Sequence, residues 1–509
     1  MAAAVGRLTG RPGICIATSG PGGLNLTTAL STANSEGDPV VAIVGSVPRA
    51  QSLISTHQST NVMNVLAPIA KKTFSLEHED QVAPAFCNAI RLAGIHPQGV
   101  TAIDLPLDIM SSGKSTVTAF AASSFQSPVY GPPPREQILD LCDRLSKAKL
   151  PVLLLGMRAS SPRVTAALHR LLRKHEIPVL ETFQGAGAIS RELLHLFYGR
   201  VGLFRNQPGD KLLAASDLVI TLGYEPAEYD PFLFNPDGKC NIIHIDNKQC
   251  DREELYQPQL ELLGSLIETL DQLSEHLGSV KAELNTDFCR DIQRQHSEWR
   301  NENNAKSPDE SSPLVHPLHF ISTLQDQVKD ETVICCDVGS VYIWTARFLR
   351  SFQPRKLLFS NVSQTLGVAL PWAIAASLVQ STDDASQRKK VISISGDGGF
   401  MFTSMELSTA VQEGCDITHF IWNDEQYNMV AFQEEAKYGR ASGVTLGGVD
   451  FVKFAEAFGA KGFRVKKAGN LEAVMKEALA YRGVSIVEIM IDYSSNSELM
   501  ANVLKGAID

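Results

Sequence analysis

Two aspartates carry the clearest chemistry in this chain. Asp397 lies in the turn Gly396-Asp397-Gly398-Gly399, which follows an apolar run ending at Ser395, and Asp424 lies in the pair Asn423-Asp424 at the end of the next apolar run. Between the two runs sits an amphipathic helical pattern carrying Met405, Leu407 and Val411. Two parallel strands joined by one helix place Asp397 and Asp424 side by side at the carboxyl edge of a sheet, where open α/β sheets bind ligands. Glycines let the backbone approach a phosphate closely, and a helix N-terminus favours negative charge. A diphosphate calls for a hard cation, and Mg²⁺ takes carboxylate and carbonyl oxygens in octahedral geometry. Asp397 and Asp424 can share one such ion between protein and diphosphate. Gly-Asp-Gly alone is ordinary turn chemistry. Its place at a strand end, with Asn-Asp closing the following strand, makes the pattern specific.

The elements that position these residues recur along the chain. Short apolar runs alternate with helical patterns, which reads as α/β with parallel sheets. A length of 509 residues suits three domains of about 150 residues each. Strands are expected at Gly13–Thr18, Val40–Gly45 and Val100–Asp104, then at Pro151–Leu155, Pro178–Glu181, Asp217–Gly223 and Asn241–Asp246. A third set is expected at Val333–Asp337, Val391–Ser395, Ile417–Asn423 and Ile486–Ile491. The Ser- and Pro-rich stretch Ser123 to Pro134 reads as a linker, and the polar stretch Gln293 to Pro313 as a connector. The expected domains are 1–121, 135–280 and 313–492, with a tail at 493–509. There is no internal repeat and no low-complexity tract.

Composition excludes several functions. Hydrophobic residues make up 44% and charged residues 20%, as in globular protein, and the net charge is −10. Nucleic-acid binding needs a basic surface, so no nucleic-acid partner is expected. The nine cysteines form no CxxC pair, and Cys335-Cys336 sits in an apolar run, as buried thiols of a reducing compartment do. No apolar run reaches the ~18 residues that span a bilayer, so no membrane is expected. The start, MAAAVGRLTGRPG, resembles neither a signal peptide nor a transit segment, so a cytoplasmic protein is expected.

The GDG turn followed by Asn423-Asp424 resembles the thiamine-diphosphate signature. Most members of that family have Asn where Asp424 stands. The FAD-independent, catabolic acetolactate synthases share the Asp, the tyrosine and the Met-Val that follow. The resemblance covers nearly the whole chain, and implies three doubly wound α/β domains with parallel sheets and thiamine diphosphate and Mg²⁺ as cofactors. It adds the backbone carbonyl of Gln426 as a third protein ligand to the metal. Ser19 to Gly45 resembles the family's first-domain core; the loop Gly20-Pro21-Gly22-Gly23 is no dinucleotide fingerprint, because Asn25 stands where the last glycine would be. Gln58 matches the family's substrate-facing Gln, and Gly339 and Ser340 match residues lining the diphosphate. Ser363 to Ala373 matches the segment that bends the cofactor into a V, with Leu366 as the apolar wedge and the Gln364 carbonyl accepting from the 4′-amino group. Met429 and Val430 match apolar residues flanking the cofactor and the reacting carbonyl. A hydrophobic wall there favours decarboxylation of a charged adduct.

The resemblance also sets expectations for substrate and assembly. FAD-requiring relatives carry a G-x-RFDDR-type segment where this chain reads Leu222-Gly223-Tyr224-Glu225-Pro226-Ala227-Glu228-Tyr229, so no FAD is expected. Biosynthetic relatives place Trp three residues after the active-site Val; here Gln433 stands there, as in catabolic enzymes that join two pyruvates. The implied reaction is two pyruvates to 2-acetolactate and CO₂. Alternatives are another thiamine-diphosphate carboligase or decarboxylase, or a catalytically impaired cofactor-binding homologue. The last arises because the family's activating Glu lies before a segment resembling Met1 to Arg7, so the first domain reads as truncated. Glu36, in the turn Asn34 to Asp38, is no replacement for it by motif. The family divides its cofactor between the first domain of one subunit and the third domain of another, which implies a homodimer or a dimer of dimers.

Overall fold

Runs of Val, Ile and Leu bounded by glycine, proline or polar turns are short enough to be strands and too continuous to have a solvated face, so they pair in parallel under helices on both sides. The computed structural model describes residues 1–113, 115–204, 206–280, 284, 286–295, 309–380 and 389–500. They fall into two compact units, Met1–Val129 with Val362–Thr365, and Tyr130–Asn361 with Leu366–Asp509. The first boundary lies inside the expected linker. Most of the expected polar connector, residues 296–308, lies outside the described residues.

The first unit holds a four-stranded parallel sheet of β1 (Gly13–Ala17), β2 (Val40–Ser46), β3 (Lys72–Ser75) and β4 (Val100–Pro106), in the order β1-β2-β4-β3. Leu30, Ala33, Val62, Met63 and Leu66 pack on one face, and Ala85, Ala89, Ala93 and Ile109 on the other. The edge strand β1 alternates, and Ile14 and Ile16 point outward at 55% and 75% exposure.

The second unit contains two six-stranded parallel sheets. The central one comprises β5 (Pro151–Leu155), β6 (Val179–Thr182), β7 (Phe197–Val201), β8 (Leu218–Leu222), β9 (Ile242–Asp246) and β10 (Leu260–Leu263), ordered β10-β9-β8-β5-β6-β7. Chain direction around the sheet reverses between β5 and β8, the crevice where doubly wound sheets bind nucleotides. Here the protein fills that crevice itself. The Glu228 carboxylate accepts from the backbone N–H groups of Met157 (2.9 Å) and Glu225 (3.1 Å) and from the Thr182 hydroxyl (2.6 Å). Burial pushes Glu228 up to about 7. Arg158, beside it, is bound by Asp246 and Glu225. A Cβ on Gly156 would lie 2.4 Å from the Gly223 carbonyl oxygen, so the two turns are already in contact.

The third sheet comprises β11 (Ile334–Cys336), β12 (Leu357–Leu358), β13 (Val391–Gly396), β14 (Ile417–Asn423), β15 (Lys461–Val465) and β16 (Val484–Met490), ordered β12-β11-β13-β14-β16-β15. Every residue of β14 is buried. Phe320 meets Phe420 and Trp422 edge-on at 5.2 and 5.1 Å, the geometry the ring quadrupoles favour.

All the expected strands form, with ends shifted by no more than two residues. Five others escape a search for apolar runs: β3 and β15 are polar edge strands, β7 contains a buried arginine, and β10 and β12 are short. In β7, Arg200 is neutralised by Glu181 and donates to the carbonyls of Ala346 and Leu349, which makes a charged residue admissible in a buried strand. The single helix expected after Gly399 is a correction. The chain forms a short helix Asp397–Met401, a 3₁₀ turn Ser404–Glu406 and a second helix Leu407–Gln412. Leu407 is buried, but Met401, Phe402 and Met405 are turned outward.

Candidate active site

The third sheet reverses its winding between β11 and β13, so its ligand crevice opens where those strands end. That places Asp337-Val338-Gly339-Ser340 opposite Gly396-Asp397-Gly398. β14 runs beside β13 with Gly396 level with Trp422, which brings Asn423-Asp424 to the same edge. The expected pairing of Asp397 with Asp424 is therefore formed by strand register. Beneath the turn, His419 bridges the hydroxyls of Ser393 (2.6 Å) and Ser395 (2.8 Å), and burial lowers it to about 3, so it is a neutral strut.

Asp397 is buried and Asp424 half-buried. Burial pushes Asp397 up to about 6; the N–H groups of Gly398 and Glu425 act in the opposite direction. Burial, and then the charge of Asp397, pushes Asp424 up to about 7. Each carboxylate raises the cost of ionising its neighbour. A cation between them removes that conflict. Among the described residues no three His, Cys, Asp or Glu side chains gather that could hold a metal unaided. Two carboxylates plus carbonyl and ligand oxygens is a donor set that suits Mg²⁺, which usually keeps phosphate and water in its shell. The Gln426 carbonyl is available for this: Leu446 donates to the Glu425 carbonyl and Ala431 to that of Tyr427, and no described group donates to the one between. Glu425 adopts φ 57°, which turns the chain sharply between Asp424 and Gln426.

The glycines have distinct reasons. Gly339 adopts φ 115° and begins the helix Ser340–Phe348, and a Cβ there would meet no atom within 4 Å. The space above it is open to a ligand, and only the backbone demands glycine. We expect Gly339→Ala to lower stability by about 1–3 kcal/mol through strain alone, read by denaturant unfolding. Gly398 is packed on by Tyr427, whose ring would lie 2.6 Å from a Cβ, and a Cβ on Gly399 would lie 3.3 Å from the Asp337 carboxylate.

The remaining sequence-predicted residues divide between the units. Leu366, half-buried, sits at the start of the turn that Gly367 (φ 85°) completes. Asp337 holds this turn, accepting from the Gly367 N–H at 2.9 Å and the Val338 N–H at 2.8 Å. Met429 packs partly on the core, whereas Val430 is 46% exposed. Val430 and Gln433 lie three residues apart on the helix Asn428–Tyr438, hence on one face, and both are exposed. Gln58 and Gln364 belong to the first unit. Both have positive φ, 57° and 46°, as does Glu425, and non-glycine residues with such backbones concentrate at functional sites. Gln58 accepts from Ser19 Oγ at 3.1 Å, and Gly20 makes room for it. The Gln364 segment is tied by Thr365 to Thr32 (2.7 Å) and by Ser363 to Ser35 (2.8 Å).

Family models match this architecture in three consecutive stretches. The thiamine pyrophosphate enzyme N-terminal TPP binding domain matches residues 1–67, the central domain 138–273, and the C-terminal TPP binding domain 337–489. An acetolactate synthase of Bacillus subtilis (strain 168) is 42% identical over 505 residues, covering 99% of this chain and 86% of the relative. The chain belongs to the acetolactate synthases, within the thiamine pyrophosphate enzymes. A catabolic acetolactate synthase of Raoultella terrigena is 41% identical, with 99% and 88% covered, and the isozyme 1 large subunit of Escherichia coli (strain K12) is 27% identical, with 97% and 85% covered.

In this acetolactate synthase family member the aspartate pair has neighbours that the sequence motifs do not mark. Asn428 donates to Asp424, Tyr493 lies within electrostatic reach of both aspartates, Asn496 donates to Asn428, and Asp337 lies beside Gly399 on the opposite turn. Tyr493 packs partly buried against the core, within electrostatic reach of both carboxylates. Desolvation, then their charge, drives its hydroxyl well above its ordinary value. Only Asp337 had a sequence signal, as the residue closing a strand before Gly339. Glu36 is fully buried and bound to Arg7, which also binds Asp38. No helix of the described residues is long and apolar enough to cross a membrane.

Proposed function

We propose that the protein condenses two pyruvates to 2-acetolactate with release of CO₂, using thiamine diphosphate and Mg²⁺. The observation that carries this is the coupled pair Asp397 and Asp424 at the switch point of the third sheet, in a chain of the acetolactate synthase family. Thiamine diphosphate supplies the chemistry that releases CO₂ from a 2-oxo acid and transfers the remaining two-carbon unit. The protein's own residues bind, orient and exclude water. Asp397, Asp424 and the Gln426 carbonyl hold the metal. Gly339 and Gly396 leave room for the diphosphate, and Gly398 and Gly399 bring the backbone of the turn to it. Ser340 contributes its backbone N–H, because its hydroxyl already donates to Asn428 at 2.7 Å. Leu366 would be the apolar wedge against the cofactor, and the Gln364 carbonyl would accept from its 4′-amino group. Gln58 faces the substrate. Met429 and Val430 form the dry wall, and Gln433 shapes the acceptor pocket.

FAD has no place in this reading. The central crevice spends its backbone N–H groups on Glu228, and the Arg and Asp residues of the FAD-type segment are replaced by Tyr224 to Tyr229. Residues 1–121, 135–280 and 313–492 form the three domains, and the active species is a cytoplasmic homodimer or dimer of dimers. A strictly monomeric species at micromolar concentration that turned over pyruvate would overturn the assembly.

The test is stoichiometry. Purified protein with thiamine diphosphate, Mg²⁺ and pyruvate should form one acetolactate for each CO₂. Release of CO₂ with acetaldehyde as product would replace the reading with a decarboxylase. Selectivity gives a second check. With pyruvate and 2-oxobutyrate in equal supply the product should be mainly acetolactate, and Gln433→Trp should raise the share of the 2-oxobutyrate product. A tenfold rise would correspond to about 1.4 kcal/mol of differential transition-state binding. A wild type that already favours 2-oxobutyrate would refute the role of Gln433.

A further inference from the structure

Asp424 is the end of a chain of side-chain hydrogen bonds whose direction is physically determined. The indole N–H of Trp344 donates to Asn496 Oδ1 at 2.7 Å. An indole nitrogen can only donate, so Asn496 must present its oxygen to Trp344 and its NH₂ to the other side. That NH₂ donates to Asn428 Oδ1 at 2.7 Å and to Ser340 Oγ at 3.3 Å. Ser340 in turn donates to the same Asn428 oxygen at 2.7 Å. With its oxygen receiving two donors, Asn428 has only its NH₂ left for Asp424, and donates to Oδ2 at 2.7 Å. Trp344 is 2% exposed, Ser340 4% and Asn496 3%, so water does not compete for the bonds at that end of the relay, whereas Asn428 and Asp424 are half-buried.

We propose that Asn428 and Asn496 are positioning residues that aim the Asp424 carboxylate at the metal, with the direction of the relay set by Trp344. The inference rests on Asp424 being a metal ligand, as argued above. Asn428 holds Oδ2 of the carboxylate with a side-chain donor, and the backbone N–H groups of Gln426 and Asp424 donate to the same carboxylate, so its orientation is fixed from the protein side. Asn428 also gives the charged form of Asp424 a hydrogen bond that offsets the adjacent Asp397. Through Asn496 the segment after β16 becomes part of the support of Asp424. Groups that support ligands in this way typically change metal affinity by about 10–100-fold when altered.

The relay makes an unusual prediction about sign. Asn496→Asp keeps the acceptor for Trp344 but replaces the NH₂ by an oxygen. Asn428 must then turn round to donate to the new carboxylate, and it presents its own oxygen to Asp424. Mg²⁺-dependent binding of thiamine diphosphate, titrated by calorimetry on the full chain, should weaken about tenfold. Added negative charge alone would strengthen cation binding, so a loss has the opposite sign to the simple Coulomb effect. In the Asp424→Asn background the logic reverses. There an amide NH₂ at 424 opposes the NH₂ of Asn428, and Asn496→Asp turns Asn428 into the acceptor it needs. The double variant should therefore bind Mg²⁺ and cofactor more tightly than Asp424→Asn alone. A change in the same direction in both backgrounds, or none in either, would overturn the relay. Trp344→Phe, which removes the fixed donor, should give a smaller loss that needs Asp424, and decides the matter if Asn496→Asp does not fold. If neither Asp397→Ala nor Asp424→Asn alters Mg²⁺ dependence, the metal site itself is misassigned. If Asp397→Ala abolishes it while the Asn496 and Trp344 variants bind normally, only the relay fails.

Discussion

Asp397→Ala should abolish Mg²⁺-dependent binding of thiamine diphosphate while leaving the fold intact. Asp397 is 5% exposed and lies on the turn that faces Gly339 across the switch point. Removing it deletes a ligand oxygen, and among the described residues no further carboxylate or imidazole completes a cluster that could take over. A loss of at least about a hundredfold in cofactor affinity is expected, at the upper end of what altered support residues cause. The apo-protein should not suffer correspondingly. Asp397 is ionised against burial and raises Asp424 as well, so its removal relieves repulsion that metal would otherwise offset. Calorimetry should thus show binding gone, with circular dichroism and melting close to wild type. Asp424→Asn should be milder than Asp397→Ala, since it keeps a ligand oxygen. Unchanged cofactor affinity in Asp397→Ala would refute the site.

Why this site could be read from sequence is a matter of topology. Asp397 and Asp424 sit at the ends of two consecutive buried strands, and neighbours in a parallel sheet bring such ends together whatever the side chains between them do. Their strands are continuous apolar runs because both faces are covered, as the burial of every β14 residue shows. The helix between them was less legible. Its periodic Met405, Leu407 and Val411 suggested one amphipathic helix, yet the chain breaks twice and turns Met405 outward at 64% exposure. Periodicity reports that some face is apolar, not what covers it.

Ser340 and Asp337 carry a signal in the sequence, but the asparagines that support Asp424 do not. Asn496 stands far along the chain from Asn428, and an asparagine in an otherwise polar segment looks like any turn residue. Its meaning comes from Trp344, whose burial and single donor are facts of packing. Glu228 is similar. Read as sequence, Tyr224 to Tyr229 only lacked the residues that FAD-type relatives carry. In three dimensions Glu228 reaches back across the β5–β8 crevice and satisfies N–H groups that a phosphate would otherwise need. A buried carboxylate serving as an internal anion is invisible until both turns are placed.

The pH dependence of metal binding is the last expected result. Asp397 stands at about 6 and Asp424 at about 7, values that belong to the pair. Both lie above the ordinary carboxylate range because burial, and for Asp424 also its neighbour's charge, disfavours ionisation. A folded-state value above the unfolded one means that these groups favour the folded apo-protein most below about pH 4 and lose that contribution as pH rises through about 7. Mg²⁺ has the opposite preference, since it needs both carboxylates ionised and must displace any proton they hold. Between pH 8 and pH 6 its apparent affinity should therefore fall, by roughly tenfold to thirtyfold. Binding at pH 6 should release protons, seen as an enthalpy that depends on the buffer's ionisation heat. The rise in melting temperature on adding Mg²⁺ and thiamine diphosphate should likewise be larger at pH 8 than at pH 6. In Asp424→Asn one of the two titrations is gone, and the fall should be shallower. An affinity that is flat from pH 8 to pH 6 in the wild type would mean that both carboxylates are already ionised there, and that the charge conflict at this site is resolved without the metal.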